Sequence, residues 1–154
     1  MEITVDEATA DERDVLGRLL ELYLHDLSEF TGRDVDEHGL FGYPYLDAYW
    51  AEAGRHPYFV RTDGILVGFA LVRERVGDPQ TTEMAEFFVL RSSRGQGAGS
   101  GAARTLLNLF PGPWRLTQVA GNTAATAFWR RLLPDTAVER VLGDGTVEHR
   151  FTVT

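Results

Sequence analysis

The chain has 154 residues, 44 % of them apolar, a formal net charge of −8 and no cysteine. That length suits one domain, residues 1–154, with room for a substantial core. The missing thiols exclude thiolate catalysis, disulfides and cysteine-ligated metal, and the negative balance disfavours nucleic acid as a partner, because such binding sets cations against phosphates.

From the N-terminus, Met1-Glu2-Ile3-Thr4 has no basic segment before an apolar block, and no apolar run further on is long enough to cross a bilayer. The expectation is a cytoplasmic protein with no membrane partner. Residues Glu2 to Thr9 alternate as a first strand. Thr9-Ala10-Asp11-Glu12 fits a capping box, and Leu16, Leu19, Leu20 and Tyr23 follow at helical spacing in a helix ending near Gly32. Arg33 to Gly42 is polar and reads as a loop, with a short second helix from Leu46.

Tyr58 to Arg61 and Ile65 to Val72 are strands joined by the hairpin signal Asp63-Gly64. After a turn at Val76 to Pro79, Glu83 to Leu90 is the next strand. A helix from Ser100 to Phe110 is stopped by Pro111-Gly112-Pro113. Trp114 to Val119 is a strand, Asn122 caps a helix that Pro134 ends, and Thr136 to Leu142 and Thr146 to Val153 close the chain. The order β-α-α-β-β-β-α-β-α-β-β predicts an α/β chain built on a mixed central sheet of about seven strands, with helices on both faces.

Between the fourth strand and the third long helix lies Arg94-Gly95-Gln96-Gly97-Ala98-Gly99. Glycines let backbone approach a ligand, and a helix start offers unpaired N–H groups at the positive end of its dipole. The pattern is an anion site suited to phosphates, and Arg94 is a candidate partner for a phosphate oxygen. No Walker string is present. Gly97-Ala98-Gly99-Ser100-Gly101-Ala102 satisfies the dinucleotide pattern G-x-G-x-x-A, but it follows three strands and no acid stands about 20 residues on. A purely structural glycine turn is the other alternative.

The glycine loop, the preceding Phe87-Phe88-Val89-Leu90 and the later Asn122-Thr123-Ala124-Ala125-Thr126-Ala127-Phe128-Trp129 together resemble the acyl-CoA signature and following motif of the GNAT superfamily of N-acetyltransferases, in particular its small bacterial single-domain members. The resemblance implies the GNAT fold and acetyl-CoA as cosubstrate, with the diphosphate on the amides of Gln96, Gly97, Ala98, Gly99 and Ser100, and with Arg94 and Gly95 in the same loop. It implies that the fourth and fifth strands splay apart and that Phe88, Val89 and Leu90 bond the pantetheine arm, the amide of Val89 or Leu90 serving as oxyanion donor. Asn122 would reach the arm from the far side, or act only as an N-cap. Trp129 lies where the family often places a tyrosine that protonates the departing thiolate, and an indole has no proton of suitable acidity.

Transfer to an amine needs a base to remove the ammonium proton. Glu86 interrupts an apolar strand near the expected thioester and is the first candidate; Glu83 is the alternate, on the opposite face if the strand is regular. His149 reads as a core histidine between Val147 and Phe151, and no metal is expected. Tyr23, Tyr43 and Tyr45 are not placed by the sequence. Aromatics and acids from Tyr23 to Tyr58 suit a cationic acceptor, or they simply divide between core and solvent. The resulting expectation is an acetyltransferase acting on a small-molecule or peptide amine, with a homodimer implied by the resemblance. A non-catalytic acyl-CoA-binding module and a dinucleotide-binding protein are the alternatives.

Overall fold

A computed structural model describes residues 1–154. Strand β1 (Ile3–Glu7) leads into helix α1 (Arg13–Thr31) and a short helix α2 (Ala48–Ala51); strands β2 (Arg55–Thr62), β3 (Ile65–Val76) and β4 (Thr81–Val89) follow. Helix α3 (Ala98–Leu109), β5 (Gly112–Gln118), α4 (Thr123–Leu132), β6 (Val138–Val141) and β7 (Val147–Val153) complete the chain. The strands form a seven-stranded mixed sheet in the order β1-β2-β3-β4-β5-β7-β6. Only β4 and β5 run parallel; every other neighbouring pair is antiparallel.

The local signals act as expected at α1. Glu12 accepts from the Thr9 N–H at 3.0 Å, and Leu16, Leu19, Leu20 and Leu24 are buried along one face. Gly32 ends the helix in the left-handed region at φ 69°, its N–H bonded to the Ser28 carbonyl. Strands β2 and β3 run further than the apolar pattern implied, because polar residues beyond it still pair: His56 lies opposite Val72 and Arg55 opposite Arg73, and the His56 ring meets Glu74 at 2.6 Å.

Alternate residues of the central strands feed two cores. Phe59, Phe69, Leu71 and Phe88 pack with Leu16 and Leu20 of α1. Tyr58, Ala70, Val72 and Met84 pack on the other side with Leu106 of α3, Trp114 and Leu116 of β5 and Trp129 of α4. Burying such side chains is worth about 1.5–3 kcal/mol each.

One irregularity positions the site. Leu71 lies opposite Glu86 and Val72 opposite Met84, so Ala85 is an extra residue in β4. A bulge of this kind reverses the side-chain alternation. Phe88 and Ala85 pack on the α1 side while Met84 packs on the α3 and α4 side. The expectation that Glu83 and Glu86 occupy opposite faces is corrected: the bulge returns Glu83 to the face of Glu86. Parallel pairing with β5 covers only Thr82 with Trp114, Glu83 with Arg115 and Met84 with Leu116, after which the two strands part.

Gly68 lies opposite Val89 where β3 packs tightly on β4. A Cβ there would lie 2.1 Å from the Phe88 carbonyl oxygen, a backbone atom with nowhere to go. Gly68→Ala is therefore expected to lower stability in denaturant unfolding by about 1–3 kcal/mol. An unchanged midpoint would show that the strands separate freely.

Candidate functional site

Beyond Met84, the parting of β4 and β5 opens a cleft of about 130 Å³ that passes between the two cores. Tyr23 and Glu86 line it from the α1 side, and Gln118, Asn122 and Trp129 line it on the α4 side. The Leu90 N–H donates to the Val67 carbonyl at 2.8 Å. Antiparallel ladders alternate, so the N–H groups of Phe87 and Val89 turn away from β3 toward the gap. Of the two amides expected as oxyanion donors, Leu90 is engaged and Val89 is the one the geometry leaves facing the cleft. Phe88 supplies a buried side chain to the α1 core.

The glycine loop follows directly. Gly97 caps α3 with φ 90°, a conformation a side chain resists, and Gly95 has φ 75°. The first bond of the helix joins the Gly101 N–H to the Gly97 carbonyl, so the amides of Ala98, Gly99 and Ser100 precede the ladder. A Cβ on Gly99 would sit 3.5 Å from the Phe128 ring and 3.6 Å from a Val89 methyl, which places this helix start beside both α4 and the end of β4. The Gln96 side chain bonds the Ser92 carbonyl at 3.3 Å.

Arg94, the expected phosphate partner, is braced beside this loop with its side chain still 47 % exposed. Its Nε donates to the Val89 carbonyl at 2.8 Å, its Nη2 pairs with Asp26 at 2.7 Å, and its guanidinium lies over the Phe88 ring. Arg91 pairs with the same carboxylate at 2.7 Å. Burial alone would raise the Asp26 pKa, but the two guanidiniums hold it below the ordinary value. Arg94 thus ties the end of β4 to α1.

Glu86 is the carboxylate at the cleft. Tyr23, from α1, donates to its Oε1 at 2.8 Å, and Tyr43, from the loop before α2, donates to its Oε2 at 2.9 Å. Burial raises the Glu86 pKa above the usual carboxylate value, and the two hydroxyl bonds partly offset the rise. Burial together with the Glu86 charge pushes both tyrosines upward, so they remain donors. The loop that brings Tyr43 is itself anchored: Glu21 accepts from the Phe41 and Gly42 N–H groups at 2.7 and 3.0 Å. Neither tyrosine was placed by sequence reasoning, since the contacts span 63 and 43 residues. The helical phase of Tyr23, shared with Leu16 and Leu20, was the one usable signal.

Glu83 instead meets Arg115 at 3.7 Å, in a group where Arg115 also binds the buried Glu148. Asn122 caps α4 through a long 3.4 Å bond from the Ala125 N–H while bordering the cleft. The Trp129 ring is buried edge-on to Phe87 and Phe128. His149 is buried as expected, 2.9 Å from Gln118. No group of His, Asp or Glu has metal-binding geometry.

A family model described as the acetyltransferase (GNAT) family matches residues 18–133. Among solved structures, an acetyltransferase from Thermus thermophilus aligns with a TM-score of 0.79 at 12 % identity, over 99 % of this chain and 98 % of that one. An aminoglycoside acetyltransferase, AAC(6')-Ib, solved with coenzyme A, aligns with a TM-score of 0.71 at 16 % identity, over 98 % and 95 %. The PaiA N-acetyltransferase of Thermoplasma acidophilum, also solved with coenzyme A, gives 0.69 at 9 % identity, over 99 % of each chain. At these identities the structures establish the fold. Comparison with curated proteins returns no match.

The tyrosine bonds favour ionised Glu86. Tyr43→Phe is expected to raise the Glu86 pKa further in a carboxyl-carbon NMR titration, and the double change with Tyr23→Phe to raise it more. Superimposable titration curves would show the hydroxyls to be electrostatically idle.

Proposed function

The chain belongs to the GNAT family of acetyltransferases, and on that premise we propose that it transfers an acetyl group from acetyl-CoA to an amine by direct attack within a ternary complex. The observation that carries this reading is the cleft where β4 leaves β5: an ionisable carboxylate and backbone amides unpaired with β3 border it, and the start of α3 lies beside the end of β4. The chemistry of the donors suits the cosubstrate. Amides of Ala98, Gly99 and Ser100 would receive the diphosphate, with Gly97 and Gly95 keeping side chains out of the way and Gln96 beside them. Phe87 to Val89 would bond the pantetheine arm as an added strand does, with Asn122 and Trp129 on the opposite wall.

A bound acyl thioester supplies an electrophilic carbonyl carbon and a thiolate leaving group. The protein's part is positional and electrostatic. The Val89 N–H donates to the carbonyl oxygen as charge builds there, a contribution of roughly 3 kcal/mol for one well-placed donor. Glu86, with its raised pKa, accepts a proton from the incoming ammonium, directly or through water. Tyr23 and Tyr43 keep its carboxylate oriented toward the gap. Glu83 is the less suited base, since Arg115 neutralises it.

The acceptor enters from the α1 side, where Glu86 and the tyrosines stand. We place its class as a small-molecule or peptide amine. A cytoplasmic homodimer is the working assumption for the assembly. A non-catalytic module is favoured by one observation alone, the indole of Trp129 at the position of the family's tyrosine; against it stands the ordered Glu86 pair of hydroxyl bonds.

Acetyl-CoA is expected to raise the melting temperature, whereas NAD should leave it unchanged; stabilisation by NAD alone would remove the reading. Gly97→Trp should abolish coenzyme A binding in calorimetry while far-ultraviolet circular dichroism stays native. Glu86→Gln should slow amine acetylation by about 10²-fold or more with unchanged acetyl-CoA affinity. In the native enzyme the rate should climb with pH through the raised Glu86 pKa, and that acid limb should vanish in Glu86→Gln. Full activity of Glu86→Gln would assign the base elsewhere.

A further inference from the structure

The far wall of the cleft holds a buried polar atom with no partner. Gln118, the last residue of β5, is only 5 % exposed and lies among Met84, Phe87, Leu116 and Trp129 in the lining. Its Oε1 is engaged twice: the Thr126 hydroxyl of α4 donates to it at 2.9 Å, and His149 Nε2 of β7 lies 2.9 Å away. Burial holds the His149 pKa below its ordinary value. With its proton on Nε2 the neutral ring donates the second bond. The other end of the carboxamide, Nε2, is buried without any partner.

An unpaired buried amide donor costs about 1–3 kcal/mol. A methionine of similar volume would fill the same apolar surroundings without that cost. Two elements nevertheless hold this side chain by its oxygen, which fixes the direction of its free N–H groups. A group held in this way is arranged for an acceptor atom that arrives with a ligand.

We propose that Gln118 donates a hydrogen bond to an amide carbonyl oxygen of the acyl carrier's arm, opposite the free amides of β4. Thr126 and His149 are positioning residues that aim the carboxamide. The inference rests on the reading of this cleft as the coenzyme A site. It adds a side-chain contact on β5 to the backbone contacts of β4. The arm is then held from both strands, so a carrier whose carbonyl is displaced by one methylene loses the β5 contact.

Calorimetry with two ligands tests it. Gln118→Met is expected to weaken coenzyme A binding about tenfold, the value of one neutral hydrogen bond. Adenosine 3′,5′-bisphosphate, which carries no arm, should bind both proteins equally. Equal coenzyme A affinities would overturn the proposal, and so would equal losses for both ligands, which would mark a general disturbance of the site. A measurement on the unaltered protein needs no variant to fold: the Gln118 side-chain NH₂ signals should move downfield with coenzyme A and stay in place with adenosine 3′,5′-bisphosphate. Static signals in the presence of bound coenzyme A would also sink the assignment. If the unaltered protein binds no coenzyme A at all, the reading of the cleft itself fails, a result distinct from the others.

Discussion

The parallel contact between β4 and β5 stops after three residue pairs, and the site depends on that stop. A β-ladder normally satisfies every backbone group it can reach. Here the extra residue Ala85 bends β4 at the point of departure, and the amides beyond it are left facing a gap. Unpaired groups at a sheet edge are a liability in most proteins. At this position they lie inside the molecule, between two cores.

Keeping such a gap open requires that its walls not collapse. At Gly68, β3 lies so close to β4 that a Cβ would strike the Phe88 carbonyl oxygen. Arg94 clamps the last β4 carbonyl from outside and is itself fixed by Asp26 on α1, with Arg91 sharing the load. These exposed ion pairs contribute little to global stability, since solvent screens them. Their effect is geometric: they set the distance from the end of β4 to the start of α3. On the opposite wall the bonds from Thr126 and His149 to Gln118 fasten α4 and β7 to the end of β5.

The same opening governs the electrostatics. Glu86 is enclosed by apolar side chains and two phenols, so desolvation raises its proton affinity while hydrogen bonds restrain the rise. A carboxylate poised in this way is a better proton acceptor than one in water. Its two partners come from different parts of the chain, one from a rigid helix and one from a loop. Loss of the loop's order would therefore reach Glu86 directly through Tyr43.

The order of elements, the capped amphipathic α1, the glycine-started α3 and the candidacy of Glu86 were legible in the chain's residues, because these rest on signals within a few positions: periodicity, caps, turns and one charge in an apolar run. The family likeness was carried there too, in residues 94–99 and 122–129. Which groups meet was settled in the folded molecule. The bulge at Ala85 moved Glu83 to the face of Glu86 and into the reach of Arg115, a shift invisible to any rule of strict alternation. Folding made Arg94 a brace for β4, engaged the Leu90 amide with Val67, and brought Tyr23, Tyr43 and Gln118 together around the cleft and its carboxylate. Local pattern specifies how each segment folds, because backbone dihedrals and capping bonds are settled within one turn or strand. The pairing of side chains distant along the chain follows from register and packing, which only the assembled sheet defines.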